Sequence, residues 1–334
     1  MQSEITKITD VFDSSGQVST VGWSKQPVFV LDKSHCKKRM SFYERDSYMI
    51  TNDRVSIYLT VSENGANSEI SIVIADHETG NIDSRTLRKY MSFGKLDMPA
   101  TSKNGDVTFA DTRAGVNFSN TALKRYIRCD CVDFSDDKNL YINIALEEGT
   151  DESLNTLIPA KKNKRNFYLK RFLPALRPSG VVRCGGAEYT FTPEDSFAFL
   201  DWQRCLMNDK SCHHGLYADT RINGHQFSLC LAGGIGNTFK GSENCYFYDG
   251  KIHKLASVKA DGNDDKLDKT WHFTAGSSAL DITFRPEIKG GHLMAQKCAS
   301  KTIVFGRLQG TIQQYDTDPV VLDAVPAHIE FSMI

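Results

Sequence analysis

The stretch that decides the fold is VSIYLTVSENGANSEISIVI, residues 55–74. Apolar and polar residues alternate along its first part and again along its last part, which is the period of two that a half-buried β-strand requires. Asn64-Gly65 lies between the two runs, and this dipeptide readily adopts the positive φ angles of a tight hairpin turn. The stretch therefore predicts two antiparallel strands joined by a hairpin.

The same pattern of alternating runs around a tight turn returns later in the chain. Asn223-Gly224 and Asp249-Gly250 are both flanked by strand-like runs and predict two further hairpins. In total, roughly twenty short strands can be marked in this way, and no long amphipathic helix lies between them. The sequence predicts an all-β fold of antiparallel strands rather than a doubly wound sheet.

The length of the chain indicates how these strands are divided. A single barrel built from all of them would be unusually wide, because barrel diameter grows with strand number. The 334 residues are enough for two units of about 150 residues each. Two antiparallel barrels, each closing its own sheet edges, fit the length better than one.

Charge and hydropathy exclude several classes of partner. The chain has 40 Lys and Arg against 41 Asp and Glu, a net charge of −1, so no broad basic surface is available for nucleic acid. No run approaches the roughly 18 apolar residues of a spanning helix, and membrane insertion is not expected. The first ten residues lack a signal-peptide pattern, and the nine cysteines form no paired framework. We predict a cytoplasmic protein with reduced thiols.

Two local patterns could indicate a metal or a nucleotide. Cys205, Cys212, His213 and His214 bring thiol and imidazole ligands together, yet zinc sites usually have two close pairs of ligands, and the second pair is missing. The glycine-rich residues 233–236 follow a strand-like run but open no helix, so a bend or a close backbone approach is predicted there. We predict no cofactor, and a metal at the Cys/His residues stays an open alternative.

The most specific segment is PSGVVRCGGAEYTFTPEDSFAFLDWQR, residues 178–204. It predicts a hairpin at Gly185-Gly186, followed by an apolar run that ends in Asp201, Trp202 and Arg204. A carboxylate and a guanidinium behind an apolar run are costly to bury unless they are paired or used in function. A structural Asp201–Arg204 pair at a barrel end and a functional acid are both compatible with the spacing.

With these residues, the chain resembles the family called domain of unknown function 2804 over nearly its whole length. The matching pieces keep their order along the chain and are Val21 to Ser24, Glu152 to Asn155, Ile158-Pro159, Pro178 to Gly180, Ser196 to Arg204, Glu243-Asn244, Asp249 to Leu255, and Phe305 to Gly310. That family is in turn distantly similar to the carotenoid hydratases and to the lipocalin-like cyclases.

The resemblance implies two lipocalin-like β-barrels packed together, with a largely apolar cavity near their junction. We place the first barrel at residues 1–204 and the second at residues 205–334. The resemblance also implies that Asp201 occupies the position of a functional acid. Cys212-His213-His214 replaces the Trp-x-Trp segment that is common in the family, which changes the shape and polarity expected of the pocket.

Our first functional hypothesis is a cofactor-independent enzyme that hydrates, dehydrates, cyclises or isomerises a small molecule by proton transfer. Burial of Asp201 among aromatic and aliphatic neighbours would raise its pKa and let it donate a proton, whereas pairing with Arg204 would lower that pKa. Glu243 is the second candidate catalytic carboxylate. His253 is a reserve acid or base, because histidine titrates near neutral pH.

Several further side chains are candidates for substrate binding. Trp202 and Tyr246 could offer aromatic faces to a ring or a cation, although core packing explains them equally well. Glu152 and Lys170 could form a buried pair beside the cavity or a surface salt bridge. The complete set of candidate substrate-binding residues is Trp202, Arg204, His214, Asn244, Tyr246, Glu152 and Lys170.

The second functional hypothesis belongs to a different class. A lipocalin-like barrel can hold an apolar small molecule without changing it, so the protein could be a non-catalytic carrier. Both hypotheses name a small-molecule ligand as the partner. The sequence does not predict an oligomeric state.

Overall fold

The structure is a computed structural model that describes residues 2–36, 39–121, 124–207, 212–262, 266–276, 279–298, 301–313 and 318–333. Strands dominate, and the described residues contain two short 3-10 turns but no α-helix. No helix among them is long and apolar enough to cross a membrane. The prediction of an all-β fold is confirmed.

The strands of the first part of the chain end at Leu206. They are β1 (Thr9–Asp10), β2 (Gly22–Ser24), β3 (Phe29–Val30), β4 (Phe42–Thr51), β5 (Val55–Glu63), β6 (Ser68–Asp76), β7 (Ile82–Lys89), β8 (Val107–Ala110), β9 (Ala114–Asn120), β10 (Lys124–Ser135), β11 (Lys138–Glu148), β12 (Leu154–Pro159), β13 (Phe167–Cys184), β14 (Ala187–Phe191) and β15 (Phe197–Leu206). The 3-10 turns, Lys33–His35 and Arg39–Ser41, precede β4.

The strands of the second part begin at Cys212. They are β16 (Cys212–Ile222), β17 (His225–Gly233), β18 (Cys245–Tyr248), β19 (Lys251–Lys254), β20 (Lys259–Asp261), β21 (Trp271–Ala275), β22 (Leu280–Pro286), β23 (Ile288–Lys289), β24 (His292–Leu293), β25 (Ala295–Cys298), β26 (Lys301–Ile312) and β27 (Val320–Met333).

Two large antiparallel sheets have the same strand connectivity. In the first sheet, β4 to β7 pair in sequence, and so do β8 to β11. β11 then pairs with β13, β13 with β15, and β15 with β4. In the second sheet, β16 to β19 pair in sequence, and so do β20 to β22. β22 then pairs with β26, β26 with β27, and β27 with β16. Each sheet is thus a curled meander whose last strand pairs with its first long strand. This is the two-barrel, lipocalin-like architecture that the sequence predicted.

The predicted hairpins are present. Asn223-Gly224 joins β16 to β17 and Asp249-Gly250 joins β18 to β19, with positive φ at all four residues, as a tight antiparallel turn requires. Gly185, at φ +57°, lies in the turn between β13 and β14. The hairpin between β5 and β6 has a longer loop, residues 64–67, in which the Asn64 side chain accepts hydrogen bonds from two backbone N–H groups.

Alternation along β15 decides which way each of its side chains points. The even-numbered apolar residues Ala198, Leu200, Trp202 and Leu206 pack into the core of the first barrel. Phe199 belongs instead to an apolar cluster with Phe172 and Phe247, which lies between the two barrels. The odd-numbered face of β15, which carries Asp201, therefore meets the second barrel.

Candidate functional site

A cluster of polar and charged side chains is buried where the two barrels meet. We call it the junction cluster. Its members are each at most 2 % exposed: Arg45, Tyr168, Lys170, Asp201 and Gln203 from the first barrel, and His213, Tyr217 and Glu243 from the second part of the chain. Buried charges are tolerated in proteins when each has an opposite charge or a hydrogen-bond partner.

Lys170 is the centre of the junction cluster. Its Nζ lies 2.7 Å from Glu243 Oε1, 2.9 Å from the Tyr217 hydroxyl and 3.4 Å from Asp201 Oδ2. Burial by itself would lower the pKa of Lys170, but the charges of Asp201 and Glu243 raise that pKa well above its ordinary value. The amine is therefore a charged ammonium that binds carboxylates from both parts of the chain.

Asp201 is held by partners on its own sheet as well as by Lys170. Gln203 Nε2 lies 3.0 Å from both carboxylate oxygens, and Arg45 Nη2 lies 3.4 Å from Oδ2. These partners face the same way because Gln203 is two positions along β15 and Arg45 is directly opposite Gln203 on β4. Two cations and an amide thus surround one buried carboxylate.

Glu243 is the second carboxylate of the cluster. The Tyr168 hydroxyl donates to Oε1 at 3.1 Å, and His213 Nε2 lies 3.0 Å from Oε2. Burial alone would raise the pKa of Glu243, but Lys170 and His213 lower it well below its ordinary range. Two of the residues predicted to be catalytic, Asp201 and Glu243, are therefore brought together, bridged by one ammonium.

Arg204 and Trp202 lie on the other face of β15. Arg204 Nη1 is 2.8 Å from Asp46 Oδ1, Arg204 Nη2 donates to the Pro99 carbonyl at 2.7 Å, and the guanidinium lies 4.3 Å from the centre of the Trp202 ring. The Asp201–Arg204 pair that the sequence left open is not formed. Residues three positions apart on a strand point to opposite faces, so this outcome follows from the period of two.

Glu152 and Lys170 do not pair either. Glu152 Oε2 accepts a hydrogen bond from the Ile252 backbone at 2.8 Å, and Glu152 Oε1 lies 3.8 Å from Lys25 and 3.6 Å from Lys251. Glu152 therefore connects the first barrel to the β18–β19 hairpin, while Lys170 connects the barrels through the junction cluster.

His253 lies on that same hairpin and is not a member of the junction cluster. Its ring stacks on Tyr246, which is directly opposite on β18, with ring centres 4.6 Å apart and an interplanar angle of 2°. Burial lowers the pKa of His253. Tyr246 itself is 3 % exposed and belongs to the core of the second barrel.

The second barrel contains a cavity of about 460 Å³. Its wall includes apolar residues that extend the core of that barrel, among them Leu231, Val258 and Phe273. Polar groups in the wall come from residues such as His214 and Asn244, and no Asp, Glu, Lys or Arg lines the cavity in the described part of the chain. Two of the predicted substrate-binding residues thus meet in one cavity.

The cavity and the junction cluster lie on opposite sides of the same chain segments. On β16, His214 lines the cavity whereas His213 binds Glu243. Just before β18, Ser242 and Asn244 line the cavity whereas Glu243 points into the junction cluster. Successive side chains of an extended segment alternate, so one layer of backbone separates the carboxylates from the cavity.

The four Cys and His residues considered as metal ligands are spread by the same alternation. Cys205 is buried in a small cluster with Tyr168, Cys212 is exposed, and His213 and His214 point to opposite sides of β16. In the ranges that the structure covers, no group of three or more His, Cys, Asp or Glu side chains is arranged to hold a metal ion.

The glycine-rich residues 233–236 make the close backbone approach that the sequence predicted. Gly234 has φ +98°, and a Cβ at this position would lie 2.0 Å from the Cys212 carbonyl oxygen. Gly233 and Gly234 both line the cavity, so the absence of side chains here also leaves space inside the second barrel.

Sequence reasoning missed half of the junction cluster. Arg45, Tyr168, Gln203 and Tyr217 were not singled out, although a polar residue two positions from Asp201 or Lys170 on an otherwise apolar strand was a usable signal. Ser242 was missed as a cavity residue because nothing in the local sequence shows which side of the segment faces the cavity.

Comparison with solved structures finds similarity at low sequence identity. The AttH-like protein of Nitrosomonas europaea aligns with a TM-score of 0.52 and 9 % identity, covering 87 % of this chain and 92 % of that one. The protein CghA, solved with Sch210972, aligns with a TM-score of 0.43 and 9 % identity over 88 % of this chain and 89 % of that one. Comparison with curated proteins finds no significant match.

A family model provides the stronger relation, because it matches residues 2–333 and so covers both barrels and the segment between them. Its description is a domain of unknown function, and the pieces of sequence that first indicated it are spread over the same range. The chain belongs to the domain of unknown function 2804 family.

Proposed function

We propose that this protein binds an apolar small molecule, carrying at least one polar group, in the cavity of the second barrel. The observation that carries this proposal is the cavity, whose volume of about 460 Å³ lies within the range of roughly 300–1,000 Å³ typical of small-molecule sites. Its largely apolar wall with a few polar side chains is the usual composition of such a site.

The lining residues narrow the chemistry of the ligand. Leu231, Val258 and Phe273 offer dispersion contacts and an apolar surface to a hydrocarbon body. His214, Ser242 and Asn244 can exchange hydrogen bonds with a hydroxyl or a carbonyl. Because no Lys, Arg, Asp or Glu in the described wall can pair with a charged group, we expect an uncharged ligand, such as an alcohol, a ketone or an ester.

The neutral fluorescent dye Nile red tests this proposal, since its emission changes when it leaves water. Ala260 lines the cavity, and Ala260→Phe should fill part of it. We expect the variant to bind Nile red at least about tenfold more weakly, roughly 1.4 kcal/mol. Ala110→Phe, at an exposed position on β8, is the matched control. Equal binding by the native protein and Ala260→Phe would contradict a ligand site here.

Proton-transfer chemistry at the junction is the second candidate. The observation that favours it is that Asp201 and Glu243 share the buried ammonium of Lys170, since paired carboxylates in a dry site are a common acid–base arrangement. We prefer the cavity, because a ligand in it is separated from both carboxylates by the segment that carries Ser242 and Asn244.

Asp201→Asn separates the two candidates. A catalytic acid predicts that the variant loses turnover of a bound ligand while the free energy of unfolding stays near the native value. A structural role predicts the reverse: Nile red binding is retained, and unfolding in urea becomes easier by about 1–3 kcal/mol, because the buried cations lose part of their compensation.

A further inference from the structure

Ser242 has an unusual neighbour for a hydroxyl group in an apolar cavity. It is 3 % exposed and lines the cavity, and its Oγ lies 2.8 Å from Nζ of Lys254 at the end of β19. A serine within hydrogen-bond distance of a half-buried amine is an arrangement in which a base can activate a hydroxyl nucleophile.

The surroundings of Lys254 accommodate both protonation states of its amine. The ammonium can donate its three N–H groups to two backbone carbonyls and to Ser242 Oγ, while the neutral amine needs only the two carbonyls. Its Nζ lies 2.9 Å from the Asn244 carbonyl oxygen and 3.3 Å from the Leu255 carbonyl oxygen, and both groups can only accept hydrogen bonds. A neutral amine has two N–H groups and one lone pair. The carbonyls take the two N–H groups, which leaves the lone pair for the proton of the Ser242 hydroxyl.

Burial favours the neutral amine, because it lowers the pKa of Lys254 to about 8. The titratable groups that oppose this effect are the thiols of Cys245 and Cys230 and the carboxylate of Glu243, which lies on the far side of the segment. A substantial fraction of Lys254 is therefore unprotonated at mildly alkaline pH, where a free lysine would remain almost wholly charged.

Gln2 holds Ser242 in place at the cavity. Its Oε1 lies 3.1 Å from Ser242 Oγ and accepts from the Ser242 backbone N–H at 3.2 Å. Its Nε2 donates to the carbonyls of Thr238 and Ala256, both of which belong to residues lining the cavity. When Lys254 is charged, the Ser242 hydroxyl can donate to Gln2, and when Lys254 is neutral it can donate to the amine.

We propose that Ser242 and Lys254 form a nucleophile–base pair that hydrolyses an uncharged ester bound in the cavity, an inference that rests on the proposed ligand site. Ser242 Oγ attacks the ester carbonyl carbon while its proton passes to Lys254 Nζ. The bond between that carbon and the alcohol oxygen then breaks, and Lys254 returns the proton to the departing alcohol. Water, deprotonated by Lys254, then attacks the acyl carbon, and the bond between that carbon and Ser242 Oγ breaks. Lys254 returns the proton to Ser242 Oγ, and the products are a carboxylic acid and the free serine.

A fluorophosphonate probe tests the pair, because an activated serine displaces its fluoride and keeps the phosphonyl group. Mass spectrometry should place the adduct on Ser242, with a labelling rate that rises with pH and levels off above about pH 8. Ser242→Ala should remove the adduct. Lys254→Met should slow labelling by about 100-fold or more, the size expected for loss of a positioned base. Lys251→Met, on the same strand with an exposed side chain, should label at the native rate.

Lys254→Arg guards against a merely structural role for Lys254, because arginine keeps the charge and the hydrogen-bond donors but does not act as a base. The proposal predicts that this variant stays folded and is labelled as slowly as Lys254→Met. Labelling of Lys254→Arg at the native rate, or the lack of an adduct on Ser242 between pH 7 and pH 10, would overturn it. Nile red binding by Ser242→Ala is scored separately, so the ligand site can stand when the hydrolytic pair fails.

Discussion

The two barrels have the same strand connectivity but differ in how densely side chains pack inside them. The first barrel is packed with large aliphatic side chains such as Leu59, Ile72 and Ile144, and a smaller cavity of about 240 Å³ lies at its end beside Glu44 and Glu63. The second barrel contains the cavity of about 460 Å³ and places small residues in its wall. Strand order therefore does not decide where a cavity forms, because the sizes of the side chains around it do.

The buried charges of the junction cluster do not lie in the cavity of the second barrel. Lys170, Asp201 and Glu243 lie between the barrels, where they compensate one another, while no Asp, Glu, Lys or Arg lies in the described wall of the cavity of the second barrel. We therefore expect the junction cluster to hold the barrels in one arrangement and the second barrel to receive the ligand. Each substitution below tests either the junction cluster or the packing of a barrel.

The largest effect is expected at Lys170. Lys170→Met removes the ammonium and leaves the carboxylates of Asp201 and Glu243 buried and poorly compensated. The free energy of unfolding in urea should fall by about 3–5 kcal/mol, as for other broken buried ion pairs. Lys161→Met, at an exposed position, should leave it unchanged. A loss below about 1 kcal/mol for Lys170→Met would mean that the junction does not depend on this charge.

A pair of leucine truncations measures how differently the barrels are filled. Leu59→Ala, in the packed first barrel, should cost about 2–5 kcal/mol, because it opens a new cavity in a dense core. Leu231→Ala should cost about 2 kcal/mol or less, since Leu231 already borders the existing cavity. Chemical unfolding of both variants gives the two values. Equal costs would show that the second barrel is as densely packed as the first.

Asp219, which joins the two barrels through the Ala175 backbone, makes the free energy of unfolding depend on pH. Its carboxylate accepts hydrogen bonds from the Ala175 backbone, Ser228 and Gln226, but burial raises its pKa from 3.8 to about 8. Between these pH values the folded state keeps a proton that the unfolded state releases, so stability should fall as pH rises from about 4 to about 8. The slope is at most about 1.4 kcal/mol per pH unit for one group.

Asp219→Asn should remove that contribution to the slope, as measured by urea unfolding at pH 5, 6, 7 and 8. Glu243 acts in the opposite sense, because its pKa is lowered and its stabilisation is lost only as pH falls below its ordinary range. Identical pH profiles for the native protein and Asp219→Asn would show that Asp219 is ionised in the fold.

The smallest effect is expected for Tyr217→Phe. The variant loses the hydroxyl that accepts from Lys170 at 2.9 Å, while Lys170 keeps both carboxylates. The hydroxyl also donates to Asp201 Oδ2 at 3.5 Å. A loss of about 1.5–2 kcal/mol of unfolding free energy is expected for these hydrogen bonds to charged groups, with Nile red binding unchanged. A loss as large as that of Lys170→Met would place the hydroxyl, rather than the charge pairing, at the centre of the cluster.

The candidate site was only partly predictable from the sequence. Asp201, Glu243 and Lys170 were identified as separate candidates, and His214 and Asn244 as ligand-binding ones. Their division between the junction and the cavity was not foreseen. The opposite directions of Asp201 and Arg204 could have been, because their spacing on a strand implies it.

By itself, the sequence determined the strands and the hairpins at Asn223-Gly224 and Asp249-Gly250, since alternation and turn chemistry act between near neighbours in the chain. Its length and the number of strands indicated two barrels rather than one. The tertiary structure decided that Lys170 meets Glu243 and that Ser242 meets Lys254 at the wall of a cavity. Those contacts depend on how the sheets curl and pack, which sums many weak interactions between residues far apart in the sequence.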